Sequence, residues 1–204
     1  MQSITFEGRS LTPSKVVCVG RNYVAHIEEL GNEVPDDMVV FLKPNSAIGR
    51  ALHASHGGEP LHYEGELAFV VEGGSFRGVG FGLDLTRRQL QSRLKEKGLP
   101  WERAKAFDNA ALFSEFVALP GDLGALTLSL DVDGEVRQAG GVSLMMYKPG
   151  QILDELTSFL SLEDGDIVMT GTPAGVGEVH AGQSFTGAVM AAGETLVTGH
   201  WLAQ

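Results

Sequence analysis

The 204-residue sequence has little cysteine, few tyrosines and tryptophans, and a deficit of basic residues. Cys18 is the only cysteine, which excludes an internal disulfide, and its position in the apolar run 16–19 predicts a buried core residue. The 15 lysines and arginines stand against 26 acidic residues, and the formal net charge of −11 disfavours nucleic-acid binding. No apolar run approaches the ~18 residues needed to span a bilayer, and residues 1–6 lack the features of a signal peptide. We therefore expect a cytoplasmic protein with no nucleic-acid or membrane partner.

The composition is that of one folded domain. Hydrophobic residues make up 43% of the chain and charged residues 20%, close to the globular average. The 27 glycines are spread between short β-like runs instead of forming a linker. We expect a single domain over residues 1–204.

Strand-like runs outnumber helical ones and do not alternate with them regularly. The strands are predicted at residues 4–6, 16–19, 39–42, 66–71, 79–83, 126–132, 136–138, 167–170, 184–189 and 195–200. Asp133-Gly134 is a strong two-residue hairpin signal, and Ala192-Gly193 is a weaker one. The pattern predicts an α+β fold with curled, mostly antiparallel sheets.

Three helices are predicted between the strands. The first spans residues 22–30, with Asn22 as its N-cap and Gly31 just past its end. The second spans residues 86–97, with Thr86 and Gln89 forming a capping box. The third begins near Pro149 and has a core-facing stripe of Ile152, Leu153, Leu156, Phe159 and Leu160.

Two neighbouring carboxylates are the first chemical signal. Strand periodicity places His62, Glu64 and Glu66 on one face, and like charges this close need bulk water, a shared proton or a cation. The apolar run 67–71 disfavours the solvated explanation. Asp84, at the end of another strand, is either a turn residue or a third ligand, and three carboxylates would suit Mg²⁺ or Mn²⁺ better than structural zinc.

The other chemical signals are weaker. Lys43, Arg88 and Lys105 could attract an anionic substrate, although each alone reads as a surface cation. His26 and Glu29 lie three residues apart on the first helix, which fits either an oriented general base or a surface pair. An iron site would need His62 and Glu64 together with His53 or His56, the last in a glycine-rich loop. The chain lacks the motifs of P-loop, dinucleotide-binding, serine-hydrolase and zincin proteins.

Four motifs in one order resemble the fumarylacetoacetate hydrolase superfamily. They are Val-Gly-Arg-Asn-Tyr at 19–23 with His26, Phe-Leu-Lys-Pro at 41–44, His-Tyr-Glu-Gly-Glu-Leu at 62–67, and Met-Thr-Gly-Thr-Pro at 169–173 with Gly-Val-Gly at 175–177. Gly-Leu-Pro-Trp at 98–101, followed by Ala104-Lys105, is most similar to the small branch that contains acylpyruvases and oxaloacetate decarboxylases.

The resemblance implies a mixed, mostly antiparallel β-roll, a homodimer, and a Mg²⁺ or Mn²⁺ ion. It assigns metal binding to Glu64, Glu66 and Asp84, catalysis to His26, Glu29 and Lys105, and substrate binding to Arg21, Lys43, Arg88, Gln91 and Thr172. The catalytic His26 and Glu29 lie on a segment that orders as a lid in relatives. The sequence departs from the family pattern at Gln89, where an acid usually follows the arginine, and this change affects the orientation expected for the Arg88 side chain.

The implied reaction is cleavage of an acylpyruvate, such as fumarylpyruvate or acetylpyruvate, to pyruvate and a carboxylic acid. A water activated by His26 and Glu29 would attack the distal carbonyl, and the metal with Lys105 would stabilise the departing pyruvate enolate. Oxaloacetate decarboxylation and 2-oxo-enoate isomerisation are alternatives on the same scaffold. A non-catalytic member that only binds a metabolite is disfavoured, because it has no use for a water-activating pair.

Overall fold

The computed structural model describes residues 1–29, 31 and 34–204. The α-helices within these residues are α1 (Val24–Glu29), α2 (Arg88–Glu96), α3 (Glu102–Lys105) and α4 (Pro149–Phe159). Single 3-10 turns lie at Asn45–Ala47, Leu123–Ala125 and Val142–Leu144. The strands are β1 (Ile4–Phe6), β2 (Arg9–Leu11), β3 (Lys15–Gly20), β4 (Val39–Pro44), β5 (Ser55–His56), β6 (Glu59–Pro60), β7 (His62–Tyr63), β8 (Gly65–Glu72), β9 (Ser75–Asp84), β10 (Ala111–Phe113), β11 (Val117–Ala118), β12 (Leu126–Val132), β13 (Glu135–Gly141), β14 (Ile167–Met169), β15 (Gly177–Glu178), β16 (Ser184–Ala191) and β17 (Glu194–Leu202).

Two sheets form the body of the fold. The larger has seven strands, in the order β10-β9-β8-β14-β3-β4 with β11 also paired to β9, and the smaller has the order β13-β12-β16-β17. Within the described residues, β14 and β3 are the one parallel pair of named strands, and the other pairings are antiparallel. The predicted α+β class with curled, mostly antiparallel sheets is therefore confirmed. The single-domain boundary stays a prediction.

Strand β8 shows why the larger sheet is central. Its side chains are buried on both faces from Gly65 to Val71, since alternate residues point to opposite sides. Leu67 and Phe69 enter the main core, while Ala68 and Val70 enter a second core on the opposite face. The main core also takes residues from the smaller sheet, which packs over β8 and β9.

Both predicted hairpins are confirmed. Asp133 and Gly134 join β12 to β13 with φ values of 56° and 86°, and Ala192 and Gly193 join β16 to β17 with 50° and 85°. Two consecutive residues with positive φ match the twist of antiparallel strands, which is why these dipeptides turn the chain here.

Two helix caps differ from the prediction, although both helices form. Thr86 does not cap α2, which has Arg87 at its N-cap and no side-chain capping bond. The Thr86 hydroxyl instead accepts a hydrogen bond from the Lys105 ammonium at 2.6 Å. Asn22 does not serve as a cap either, because its amide bonds to the backbone of Tyr147 and Thr170. The predicted end of α1 at Leu30 lies outside the described residues, while Gly31 has the expected positive φ of 62°.

Helix α4 begins at Pro149 as predicted, and Ile152 and Leu156 are buried. Leu153 and Leu160 are partly buried against the main core, whereas Phe159 is 58% exposed and is the one residue of the predicted stripe that faces solvent. Cys18 is fully buried, as expected. Among the described residues, no helix has the length and apolar character needed to cross a membrane.

Asp166 joins the start of β3 to the loop before β14. Its buried carboxylate accepts hydrogen bonds from the backbone and hydroxyl of Ser14, from the backbone and ammonium of Lys15, and from the backbone of Glu163. Burial opposes ionisation, but these bonds outweigh it and lower the pKa of Asp166. The ionised side chain is therefore part of the folded state's stability.

We expect Asp166→Ala to lower the free energy of unfolding by about 3 kcal/mol at neutral pH, because several buried donors lose their acceptor. Urea unfolding measures this, with the exposed Asp154→Ala as control. Since the folded pKa of Asp166 is depressed, its contribution is present above about pH 4 and is lost as the pH falls further. If the difference in free energy of unfolding between the wild type and Asp166→Ala stayed constant as the pH fell below about 4, this account would be contradicted.

Candidate active site

Three carboxylates meet at one end of the β8–β9 hairpin. Glu64 precedes β8, Glu66 is its second residue, and Asp84 is the last residue of β9. The Asp84 backbone N–H donates to the Glu64 carbonyl at 2.8 Å, which holds the two strand ends together. One oxygen of each of the three side chains lies within 4.8 Å of the others, and all three residues are buried. The predicted clustering of these acids is present.

Two buried lysines hold this cluster. The Lys105 ammonium donates to Glu64 Oε2 at 2.8 Å and to Asp84 Oδ2 at 2.7 Å. The Lys43 ammonium lies 2.8 Å from Asp84 Oδ1 and donates to the backbone carbonyls of Lys105 and Ala110. Lys43 thus fixes both Asp84 and the chain that carries Lys105.

The protonation states follow from burial and charge. Burial disfavours the ionised form of Glu64, but Lys105 and Arg88 outweigh it and hold the pKa of that carboxyl well below its usual value. Burial likewise opposes the charge on Lys105, whereas Asp84 and Glu64 raise the pKa of its ammonium. Burial together with Asp84 and Glu64 raises the pKa of Glu66 well above its usual value. Of the three acids, Glu66 is therefore the one whose ionised form the surrounding groups compensate least.

A divalent cation fits this donor set. Glu66 accepts a hydrogen bond from the Gly171 backbone at 2.7 Å, but among the described residues it forms no ion pair. Asp84 Oδ1 is also buried, and it accepts no well-formed hydrogen bond from any described residue, although the Lys43 ammonium lies 2.8 Å away. Oxygen atoms from three carboxylates are the ligands that Mg²⁺ and Mn²⁺ prefer. An ion among them would remove the repulsion that raises the pKa of Glu66.

The loop after β14 forms one wall of the site. Gly171 has a φ of 95°, and a side chain there would collide with Asn22, so glycine is required for its N–H to reach Glu66. The Thr172 hydroxyl bonds to the Gly65 carbonyl at 2.9 Å and to the Gln138 amide at 2.7 Å. Gln138, from the smaller sheet, also accepts a hydrogen bond from the Gly65 backbone. It therefore ties Thr172 to the start of the strand that carries Glu66.

Helix α1 places His26 at the site. The His26 Nδ1 atom lies 3.3 Å from Glu29 Oε2, and the other Glu29 oxygen accepts a hydrogen bond from the Gly175 backbone at 2.9 Å. Because an ionised Glu29 can only accept hydrogen bonds, we assign the ring proton to Nδ1, which leaves Nε2 as the basic nitrogen. Burial lowers the pKa of His26, and the nearby Glu64 and Glu29 offset this only in part. His26 is thus a buried, neutral imidazole near pH 7.

Helix α2 presents Arg88 and Gln91 from the opposite side. Arg88 forms an ion pair with Glu64 and donates to Gln91 Oε1 at 2.8 Å. Its Nε atom is buried and has no hydrogen-bond partner among the described residues, so it remains available to a bound carboxylate. Arg21, from the loop between β3 and α1, adopts a φ of 56°, a conformation that non-glycine residues adopt infrequently.

Nine of the predicted site residues line one cleft. They are Arg21, His26, Glu64, Glu66, Asp84, Arg88, Gln91, Lys105 and Thr172. Glu29 and Lys43 do not line the cleft, but each contacts a residue that does: Glu29 contacts His26, and Lys43 contacts Asp84. His62 is also outside the lining, and the three carboxylates form the one metal-like cluster in the described part of the chain. The iron-site alternative therefore has no geometric support.

Sequence reasoning missed residues both outside the lining of this cleft and within it. Gln138 and the side-chain role of Asn22, which support the site from outside the lining, were not predicted, because each acts through contacts with segments distant in sequence. Lys95 and Trp101 line the cleft. For Lys95 a signal was available, since it follows Arg88 and Gln91 at helical spacing.

Comparisons with known proteins find matches over most of the chain. The family described as fumarylacetoacetate (FAA) hydrolase C-terminal matches residues 15–200. Oxaloacetate tautomerase YcgM of Escherichia coli (strain K12) is 40% identical over 193 residues, covering 85% of this chain and 87% of that protein. A solved structure from Oleispira antarctica has a TM-score of 0.94 at 34% identity and full coverage of both chains. Fumarylpyruvate hydrolase from Pseudomonas aeruginosa, solved with Mn²⁺ and pyruvate, has a TM-score of 0.88 at 32% identity, covering 100% of this chain and 96% of that one.

We expect Glu64→Gln, Glu66→Gln and Asp84→Asn each to keep the fold and to weaken Mn²⁺ binding by at least about tenfold. A loss of this size is already typical when a residue that only supports a metal ligand is changed, and the loss of a ligand should be no smaller. Titration of the protein with Mn²⁺, read by electron paramagnetic resonance of the free ion, measures this. Glu72→Gln is the control, since Glu72 lies at the far end of β8 beside the exposed Arg9. A variant that binds Mn²⁺ like the wild type would remove that residue from the ligand set.

Proposed function

The chain belongs to the fumarylacetoacetate hydrolase family, and we propose that it is a divalent-metal enzyme that interconverts the enol and keto forms of oxaloacetate. The observation that carries the proposal is the neutral, buried imidazole of His26 in the same cleft as three carboxylates and a protonated lysine. A base and a cationic site facing one small cleft are what proton transfer next to a carbonyl requires.

Glu64, Glu66 and Asp84 would hold Mg²⁺ or Mn²⁺. Such an ion would act as a Lewis acid toward the 2-oxo oxygen of the substrate. Lys105 adds a second positive charge beside the carboxylates, and its raised pKa keeps the ammonium protonated at neutral pH. Lys43 does not line the cleft, so we assign it a positioning role toward Asp84 instead of substrate contact.

His26 would transfer the proton at C3 of oxaloacetate. In the keto-to-enol direction its Nε2 removes a C3 proton, the C2–C3 bond becomes a double bond, and the 2-oxo oxygen takes the negative charge. The His26 imidazolium then gives this proton, directly or through a water, to the 2-oxo oxygen, which completes the enol and restores the neutral imidazole. The reverse sequence returns the keto form. Glu29 accepts the hydrogen bond from Nδ1 and stabilises the imidazolium that forms.

Arg88, Gln91 and Thr172 are proposed to bind the carboxylate beside the 2-oxo group. The buried Arg88 Nε has no acceptor among the described residues, and Gln91 orients the same guanidinium. Thr172 is fixed by Gln138 and the Gly65 carbonyl. Arg21 lines the same cleft, and we assign it to the substrate as well.

The sequence alone ranks acylpyruvate cleavage above reactions of oxaloacetate, and the comparisons favour the reverse order. The Escherichia coli relative that shares 40% identity is named an oxaloacetate tautomerase. Acylpyruvate hydrolysis stays the second candidate, because the same imidazole could deprotonate a water, and a structural relative is a fumarylpyruvate hydrolase bound to Mn²⁺ and pyruvate. Decarboxylation of oxaloacetate needs the cations but no base.

The predicted homodimer and cytoplasmic location are kept as proposals. Val136 in β13 and Leu202 in β17 are large apolar side chains, 68% and 65% exposed, on the two outer strands of the smaller sheet. Exposed apolar side chains on sheet edges are suited to contact with a second chain.

The reaction is tested with purified, Mg²⁺- or Mn²⁺-loaded protein offered enol-oxaloacetate, keto-oxaloacetate, fumarylpyruvate and acetylpyruvate. We expect loss of enol absorbance to be the fastest reaction and pyruvate release to be slower. His26→Ala should lower tautomerisation about 10²–10⁴-fold, the usual contribution of a general base. His180→Ala is the control, because His180 is exposed and outside the cleft.

If pyruvate release from the acylpyruvates were faster than tautomerisation, acylpyruvate hydrolysis would become the first candidate function and oxaloacetate tautomerisation the second. Unchanged tautomerisation in His26→Ala would exclude this residue as the base in either reaction.

Lys105→Met is expected to damage all three reactions, whereas His26→Ala should leave much of any oxaloacetate decarboxylation intact. The reason is that Lys105 compensates two of the carboxylates, while decarboxylation requires no proton acceptor. Pyruvate formation from oxaloacetate, measured in both variants with circular dichroism as a check of folding, separates the two roles. Equal losses of decarboxylation in the two variants would contradict this division.

A further inference from the structure

Helix α2 carries a third residue toward the cleft. Arg88, Gln91 and Lys95 are spaced by three and four residues, so they lie on one face of the helix, and all three line the cleft. Helical side chains lean toward the N-terminus of their helix, so Lys95 extends back toward Gln91 and Arg88. Lys97, just past the end of the same helix, is exposed and outside the cleft.

The Lys95 ammonium has no opposite charge bound to it. Its nitrogen lies 4.8 Å from the centre of the Trp101 ring, and among the described residues it forms no ion pair with a carboxylate. Arg93 of the same helix, by contrast, pairs with Glu59 at 3.0 Å. Partial burial, with further contributions from Arg21 and Arg88, lowers the pKa of Lys95 to about 8. The group is therefore still mostly protonated at neutral pH, in surroundings that disfavour its charge.

An anion in the cleft would relieve this unfavourable arrangement. Lys105 and Arg88 already pair with protein carboxylates, whereas Lys95 does not. A monocarboxylic 2-oxo acid held by Arg88, Gln91 and Thr172 would leave Lys95 unchanged. A substrate with a second carboxylate at its far end would supply the missing partner, on the aromatic ring that already fixes the lysine side chain.

We propose that Lys95 binds the distal carboxylate of a dicarboxylic 2-oxo acid and thereby selects dicarboxylic over monocarboxylic substrates. The inference rests on the proposed function, because it uses the assignment of the 2-oxo acid end to Arg88, Gln91 and Thr172. It assigns a specificity role to Lys95, which touches the part of the substrate that does not react.

The kinetic test compares oxaloacetate with its 4-methyl ester, which has the same 2-oxo acid end but a neutral far end. In Lys95→Met, KM for oxaloacetate should rise about 10–100-fold, the usual loss of a hydrogen bond between charged groups, and KM for the ester should change little. Lys95→Arg keeps the charge and should recover much of the selectivity. Lys97→Met is the matched control and should behave like the wild type.

A binding experiment separates this inference from the proposed reaction. Malate and lactate share a 2-hydroxy acid end, and malate alone has a distal carboxylate. Calorimetry on the Mn²⁺-loaded protein should show malate bound more tightly than lactate, and Lys95→Met should weaken malate about 10–100-fold without weakening lactate. This result would support the role of Lys95 even if the protein proved to cleave acylpyruvates.

Equal weakening of malate and lactate would make Lys95 a structural residue, and unchanged affinity for both would place the distal carboxylate elsewhere. Either outcome overturns the inference. Lack of tautomerisation together with the expected malate selectivity would overturn only the proposed function.

Discussion

The burial of three carboxylates at the end of one β-hairpin is the constraint on which the rest of the site depends. Removing such charges from water costs several kcal/mol each unless cations or hydrogen-bond donors replace the solvent. Glu64 and Asp84 receive the ammonium of Lys105, whereas Glu66 receives only a backbone N–H. The incomplete compensation is the physical reason that the cluster is suited to a further cation.

The supporting residues come from segments far apart in the chain, which explains the topology around the site. Lys43 lies on β4 and reaches the end of the hairpin through its buried ion pair with Asp84. Gln138 lies on the smaller sheet and reaches it through a buried hydrogen bond from the Gly65 backbone. His26, by contrast, is carried by the six-residue helix α1, whose contact with the wall includes the bond from Gly175 to Glu29. A short helix has little stability of its own. The proposed metal ligands thus lie at or next to the ends of two paired strands, whereas the proposed base lies on a short helix.

The sequence predicts the ten longer or more regular strands, both hairpins and the pairing of Glu64 with Glu66, because their signals are local. It does not predict the short strands β2, β5, β6, β7, β10, β11 and β15, and without the family resemblance it leaves the role of Asp84 open. Alternation and turn residues act over a few positions, and Glu64 and Glu66 are two residues apart. The capping role predicted for Thr86 fails because Lys105, distant in sequence, engages its hydroxyl. Gln89 is exposed, and the partly buried guanidinium of Arg88 is oriented by Gln91 and Glu64 instead of by an adjacent acid. Long-range partners of this kind leave no local pattern.

Charge within the cleft is arranged against the charge of the whole chain. A net charge of −11 repels anionic substrates on average, so attraction has to come from the local field. The floor of the cleft holds the carboxylates with Lys105, while α2 and the loop after β3 add Arg88, Lys95 and Arg21. A cleft with low-dielectric walls concentrates the electric field of the charged groups that line it. An anion inside the cleft is therefore attracted by these cations more strongly than it is repelled by the distant acidic surface, whose field is screened by salt. In the proposed function, the same asymmetry would orient a 2-oxo acid, because its two ends would meet different sets of cations.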